Sequence, residues 1–543
     1  VFLRPLGLRL FMFNISLLLS AAVIIICVLA NKLSNKIGMP VLIAFIALGM
    51  VFGSDGILKI PFENYSFAEQ ICSVALVFIM FYGGFGTKLS EAKPVAVKAL
   101  LLSSVGVIFT AALTTVFCFF VLKIKLLESM LIGAVMSSTD AASVFSVLRS
   151  KNLNLKYNTA SMLEMESGSN DPFAYMLTVI VLSFMKGENS VGQMVYSIAA
   201  QIVFGVLIGF LIALGAVWFM KYFTFNTSGF DAAFVLGVAV LAYALPTLVG
   251  GNGYLSAYIV GIVLGNQNIY NKKSLVHFFD GMTGLMQMLI FFLLGLLSFP
   301  SKILTVLLPS IFIALFITFV ARPLAVATVL APFKTKISQY LVVSWAGLRG
   351  AASIVFAIMA MVGGVTMEQD VFHIAFCVVL FSITLQGSLL PFVASKTNMI
   401  DKTGSVLKTF NDYSDETEIN FIRLNIDSGN RWIDRAVKDI SLPPQMLFAA
   451  IYRNDETIIP NGETVIYEGD MIILGAPSHG INGDVRFREI SANDRKNWRG
   501  KSMAEIEFPD GYLVIMIKRG DDVVIPVGST IIEKNDELVL VSK

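Results

Sequence analysis

The sequence predicts a polytopic α-helical membrane protein of about thirteen transmembrane helices, with inverted repeats and broken crossing helices, followed by a small α+β cytoplasmic tail. Three observations predict it. The 543 residues are 56% hydrophobic and only 14% charged, a balance that soluble domains do not reach. The apolar residues fall into runs of bilayer length. The charges crowd into the last quarter: residues 1–400 hold 23 Lys/Arg and 14 Asp/Glu, and residues 401–543 hold 17 and 24. The first part therefore carries +9 and the second −7, and neither has the basic patchwork of a nucleic-acid binder.

Measured against a span of about 20 residues, the runs lie near 11–30, 39–54, 68–85, 96–122, 126–148, 158–186, 193–221, 230–247, 252–266, 277–297, 302–331, 338–363 and 370–395. An odd number of spans puts the termini on opposite sides. Fourteen Lys/Arg lie in loops on the tail's side, among them Lys88, Lys93, Lys98, Arg149 and Lys151, against seven on the other. The positive-inside rule then makes the tail cytoplasmic. Cys27, Cys72, Cys118 and Cys377 sit inside apolar runs without metal or redox spacing and read as buried thiols. His277, His373 and His479 are scattered, so no metal centre or cofactor is expected.

An ionisable residue inside a span is costly unless it faces a cavity or a partner, which makes each one a functional candidate. Five stand out: Asp140, Glu166, Asp171, Arg322 and Arg349. Asp140 lies in Met136-Ser137-Ser138-Thr139-Asp140-Ala141-Ala142-Ser143, where hydroxyls interrupt an apolar run and permit a local break around a cavity. The next span contains Glu164-Met165-Glu166-Ser167-Gly168-Ser169-Asn170-Asp171-Pro172. At helical spacing Ser167 stacks with Asp171, and Glu166 with Asn170 on the neighbouring face. Together they offer the hard oxygen ligands that a dehydrated alkali cation needs. Pro172 supplies no backbone donor, which frees a carbonyl one turn earlier, at Gly168. Desolvation disfavours the charged form of a carboxyl group, so a buried acid can trade a proton for a cation near neutral pH.

Thr139-Asp140 followed by Glu166-Ser167 and Asn170-Asp171 resembles the paired motifs of the NhaP-like branch of the cation:proton antiporters. Supporting stretches are Lys36-Ile37-Gly38-Met39-Pro40, Gly251-Asn252-Gly253-Tyr254-Leu255, Phe279-Asp280-Gly281 and Gly347-Leu348-Arg349-Gly350-Ala351, and the similarity runs through nearly all of residues 11–395. The resemblance implies a secondary antiporter, not an enzyme, that exchanges K⁺ or Na⁺ for protons in a bacterial inner membrane as a homodimer. It implies that Asp171 alternately holds proton and cation, and that Asn170 is a neutral structural partner. One asparagine beside one aspartate implies electroneutral one-for-one exchange. Thr139, Asp140, Glu166 and Ser167 match cation-coordinating or site-shaping positions, and Arg322 matches an arginine that stabilises the core. Arg349 would neutralise the backbone carbonyl ends and nearby carboxylates of opposed half-helices, as a structural charge rather than a transport residue. Ala-Ala-Ser recurs at 141–143 and 351–353, seven spans apart, the odd offset that an inverted repeat requires. One departure is Tyr82, in Phe81-Tyr82-Gly83-Gly84, where many relatives place an acid. It cannot pair electrostatically with Arg349, so Glu166 or Asp140 is left to share that arginine.

Residues 11–396 thus form the transport domain, 397–418 a polar linker, and 419–480 and 486–543 two copies of a regulatory unit. The copies align at an offset of 66 residues, pairing Trp432 with Trp498, Ile440 with Ile506, Arg453 with Arg519 and Asp470 with Asp536. Each alternates β-branched residues around Pro and Gly turns and resembles the TrkA-C lobe of the regulator-of-conductance domains. That resemblance implies dimeric pairing, a small regulatory ligand such as cyclic di-AMP, and K⁺ in preference to Na⁺ as the cation. No Gly-x-Gly-x-x-Gly follows a strand, so NAD binding is not expected. A tail-gated potassium channel is the alternative, but the Thr-Val-Gly-Tyr-Gly filter is absent and a channel has no use for a buried titrating acid.

Overall fold

The computed structural model describes residues 14–32 in part, 41–150, 153–187, 191–223, 229–267, 269, 271–401 and, with short breaks, 419–542. The Lys36–Pro40 stretch, linker residues 402–418 and the side chains of Ala141 and Ala142 lie outside the described residues. Two compact units emerge, Val1–Ser414 and Asp415–Lys543.

In the first unit each apolar run becomes a helix. These are α1 (Ser20–Ala30), α2 (Val41–Phe52), α3 (Tyr65–Gly86), α4 (Ala96–Phe120), α5a (Leu126–Val135) and α5b (Ala141–Ser150). Next come α6 (Thr159–Lys186), α7 (Val191–Tyr222), α8 (Phe230–Leu248), α9 (Gly253–Gly265) and α10 (Lys272–Leu297). The unit ends with α11 (Pro300–Phe333), α12a (Ile337–Trp345), α12b (Ala351–Val362) and α13 (Val371–Lys396). Among the described residues seven helices are long and apolar enough to cross a membrane by themselves. A helix that satisfies its own backbone is the natural form of such a run in lipid.

The hydroxyl-rich stretch divides α5 at Met136–Asp140, and Gly347 and Gly350 divide α12 at 346–350. The two gaps meet, with the Asp140 amide donating to the Leu348 carbonyl at 2.8 Å. Pro172, by contrast, sits inside a continuous α6. Small residues let the helices approach closely. A Cβ on Gly84 would lie 2.3 Å from the Tyr258 carbonyl oxygen, and one on Gly261 would lie 2.1 Å from that of Phe81. α3 and α9 therefore touch backbone to backbone. Gly49 and Gly295 make the same close approach between α2 and α10.

In the second unit each repeat forms a four-stranded antiparallel sheet. The first contains Ile419–Asn425, Leu447–Arg453, Glu456–Ile458 and Met471–Pro477. The second contains Arg486–Ser491, Tyr512–Arg519, Asp522–Val524 and Glu537–Ser542, with its strands in the same order. Among the described residues the helical part expected of the tail amounts to one 3₁₀ turn per repeat, Val437–Asp439 and Met503–Glu505. The aligned charges do the same work in both copies. Arg453 Nη2 lies 2.6 Å from Asp470 Oδ2, and Arg519 Nη2 lies 2.8 Å from Asp536 Oδ2. Each arginine also donates to a strand-flanking carbonyl, that of Val465 or Ile531.

Candidate functional site

The α5 gap, the start of α12b and α6 enclose one side of a cavity of about 420 Å³. Asp171, only 5% exposed, lies in its lining with Ser138, Thr139, Asp140 and Ser167. The Ser138 hydroxyl donates to Asp171 Oδ1, and the Ser167 hydroxyl donates to the Thr139 carbonyl at 2.8 Å. The Asn170 amide donates to the Thr139 hydroxyl oxygen. Unwinding at Ser137–Asp140 is what turns these oxygens toward α6, because a continuous helix would spend the carbonyls on itself.

Asp140 has two tasks. Its carboxylate accepts from the Ser143 amide at 3.3 Å and the Ser143 hydroxyl at 2.5 Å, capping the start of α5b, and it also borders the cavity. Glu166 does not line the cavity: its Oε1 lies 2.6 Å from Arg322 Nη2, and both side chains are almost fully buried. Asn170, fully buried, also stands behind the lining. The structure thus gathers Thr139, Asp140, Ser167 and Asp171 at the cavity and sets Glu166 and Asn170 in the packing behind it.

Arg349 is 1% exposed, and its Nη1 donates to the carbonyls of Ser137 at 3.2 Å and Ser138 at 2.7 Å. This arginine thus binds the carbonyls just past α5a, while Glu166, one of the two acids expected to share it, is paired with Arg322. Two π-helical turns help to place these groups. Ser382, which accepts from the Arg349 amide at 2.9 Å, opens the turn at Ser382–Gly387, and Arg322 directly follows the turn at Ile317–Ala321. Tyr82, unable to pair with Arg349, donates its hydroxyl to Asp280 Oδ1 at 3.1 Å.

Sequence reasoning did not single out Ser138, Glu164, Asp280, Thr283 or Gln287, all in the cavity lining. Ser138, Glu164 and Asp280 stand inside stretches quoted for their neighbours or for the family resemblance. The three residues of α10 also carry a signal of their own, polar side chains at helical spacing within its mostly apolar stretch from Phe278 onward.

Broken helices crossing at a buried acid, within a bundle of thirteen apolar segments, define a secondary ion transporter. The profile of the family described as "Sodium/hydrogen exchanger, transmembrane" matches residues 19–396, and that of the TrkA-C domain matches 421–482 and 487–543. The chain belongs to the sodium/hydrogen exchanger family, and as a multi-pass membrane protein it is a monovalent cation/proton antiporter rather than an enzyme. It is 35% identical over 475 residues to the K(+)/H(+) antiporter NhaP2 of Shewanella sp. (strain MR-4), covering 85% of this chain and 81% of that protein. It is 30% identical over 465 residues to the K(+)/H(+) antiporter NhaP of Alkalimonas amylolytica, with the same coverage of 85% and 81%. Its fold is similar to that of the sodium proton antiporter MjNhaP1 from Methanocaldococcus jannaschii, with a TM-score of 0.63 at 22% identity over 71% of this chain and 99% of that one. Family membership sets the channel alternative aside.

Proposed function

We propose that this antiporter exchanges K⁺, in preference to Na⁺, for protons one for one, with both competing for Asp171. The observation that carries the reading is the buried carboxylate of Asp171 in the lining of a cavity, beside the oxygens of Ser138, Thr139 and Ser167. An anion there needs either a proton or a cation, because an uncompensated charge out of water is strongly disfavoured. Asn170 is uncharged and Glu166 is matched by Arg322, and competition at Asp171 alone moves one charge per cycle, which is the condition for electroneutral exchange. The names of the two K(+)/H(+) relatives support potassium as the cation.

The membrane unit works as a homodimer in a bacterial inner membrane, with the tail in the cytoplasm. The tail regulates exchange through a small ligand such as cyclic di-AMP, which shifts the balance of inward and outward states by its differential affinity for them. The deciding experiment is proton flux in proteoliposomes titrated with K⁺ and Na⁺. Dissipation of a pH gradient by K⁺ at lower concentration than Na⁺, without a membrane potential developing, is the expected result. Preference for Na⁺, or a potential generated by exchange, overturns the corresponding part of the reading.

A further inference from the structure

The cavity has two polar walls. Along α6, Glu164, Ser167, Gly168 and Asp171 line it; along α10, Asp280, Thr283, Gly284 and Gln287 do so at identical spacing. Residues so spaced share one face of a helix and form a stripe about 10 Å long. Each stripe reads acid, hydroxyl, glycine, then an oxygen-bearing side chain. α6 and α10 are the sixth and tenth apolar segments and so run the same way through the bilayer. The two acids therefore stand at one end of the cavity, with Asp171 and Gln287 farther in.

The α10 stripe has no evident packing role. A Cβ added to Gly284 would meet nothing within 4 Å, and Thr283 Oγ1 is buried without a hydrogen-bond partner among the described residues. Asp280 is exposed and lies in the interior of α10 rather than at its capping position, which Asn271 occupies. Its Oδ1 accepts from Tyr82 of α3, which holds the carboxylate at the cavity wall. Polar groups on a membrane helix are costly facing lipid and useful facing a water-filled path.

We propose that the Asp280 stripe is the opposite half of the cation path: Asp280 recruits the hydrated cation, and Thr283 and Gln287 supply oxygens as it sheds water on the way to Asp171. The inference rests on the cation exchange proposed above and adds a second, low-affinity station on the facing wall. An acid lining a cavity raises the local cation concentration, an effect that salt screens.

The test is K⁺-driven proton flux in proteoliposomes at low ionic strength. Asp280→Asn is expected to raise the apparent KM for K⁺ by about three- to tenfold with Vmax kept, Asp280→Glu to restore the KM, and added choline chloride to close the gap. An unchanged KM, a fall in Vmax alone, or an effect that ignores choline chloride overturns the proposal. A second readout does not require exchange. In purified Thr283→Cys protein K⁺ is expected to slow maleimide labelling, and adding Asp280→Asn is expected to remove that protection. The four native thiols are buried and give little background. Protection without exchange would sink the exchange reading and keep this one; exchange without protection or a KM change would do the reverse.

Discussion

Asp171 and Arg322 mark two different uses of buried charge. Asp171 lines the cavity with a hydroxyl for a partner, so its charge is compensated only by what arrives there. Asp171→Asn should abolish exchange at normal expression and thermal stability, because the amide can neither release a proton nor neutralise a cation. Full flux in that variant would end the proposed mechanism. Arg322 and Glu166, at 3% and 1% exposure, have compensated each other permanently. Removing one partner of such a pair costs about 3–5 kcal/mol, whereas replacing both by apolar groups is often neutral. Arg322→Ala should therefore lower the melting temperature in detergent sharply, and Arg322→Met with Glu166→Leu should recover most of it. Equal melting for the single and double variants would show that the pair contributes little.

At the scale of elements, the crossing of α5 and α12 and the contact of α3 with α9 both depend on residues that yield space. A Cβ on Gly350 would fall 2.0 Å from Asp140 Oδ2, so the two gaps meet only because that side chain is absent. Gly261 does the same for α3 and α9. Gly261→Leu should force these helices apart and destabilise the membrane unit by more than the ~1–3 kcal/mol typical of an overpacked core, because the obstructing atoms are backbone and cannot rotate away. Gly237, within α8, has nothing within 4 Å of an added Cβ, and Gly237→Ala should leave the melting temperature unchanged or slightly raised. Comparing the two in one melting series separates loss of close approach from loss of glycine as such.

For the whole molecule, the residues bordering the cavity all precede residue 353, so a chain lacking residues 401–543 should retain transport capacity and lose only its response to tail ligands. Proton flux with and without cyclic di-AMP, in both chains, checks this; an identical response in the two would leave the tail a dimerisation module. The tail has its own acid limit. Burial pushes the Asp470 and Asp536 carboxyls up, but hydrogen bonds from Arg453 and Arg519 and from the Tyr467 and Glu533 amides outweigh it and hold both below the ordinary 3.8. A depressed folded-state value contributes stability above the unfolded value and loses it as pH falls through the folded one. Tail unfolding should thus set in below about pH 4, followed by Trp432 and Trp498 fluorescence, and Arg453→Met should move the midpoint upward.

The sequence by itself marked out the apolar segments to within several residues, the stretches around Ser137–Asp140 and Gly347–Gly350 that permit a break, and the duplicated tail. These follow from local chemistry: lipid demands runs that satisfy their own backbone, hydroxyls and glycines relax that demand, and a repeat carries its Arg and Asp positions along with it. It also grouped Thr139, Asp140, Glu166, Ser167, Asn170 and Asp171, since all lie on two neighbouring segments whose spacing can be read directly, but it did not show that Glu166 and Asn170 stand behind the cavity lining. Only the tertiary structure decided the partners. Glu166 goes to Arg322, Arg349 to the Ser137 and Ser138 carbonyls, and Tyr82 to Asp280 across 198 positions. Charge complementarity along the chain leaves such choices open, because a buried arginine can be satisfied by any acid or carbonyl within reach. What is within reach is set by how closely the helices pack.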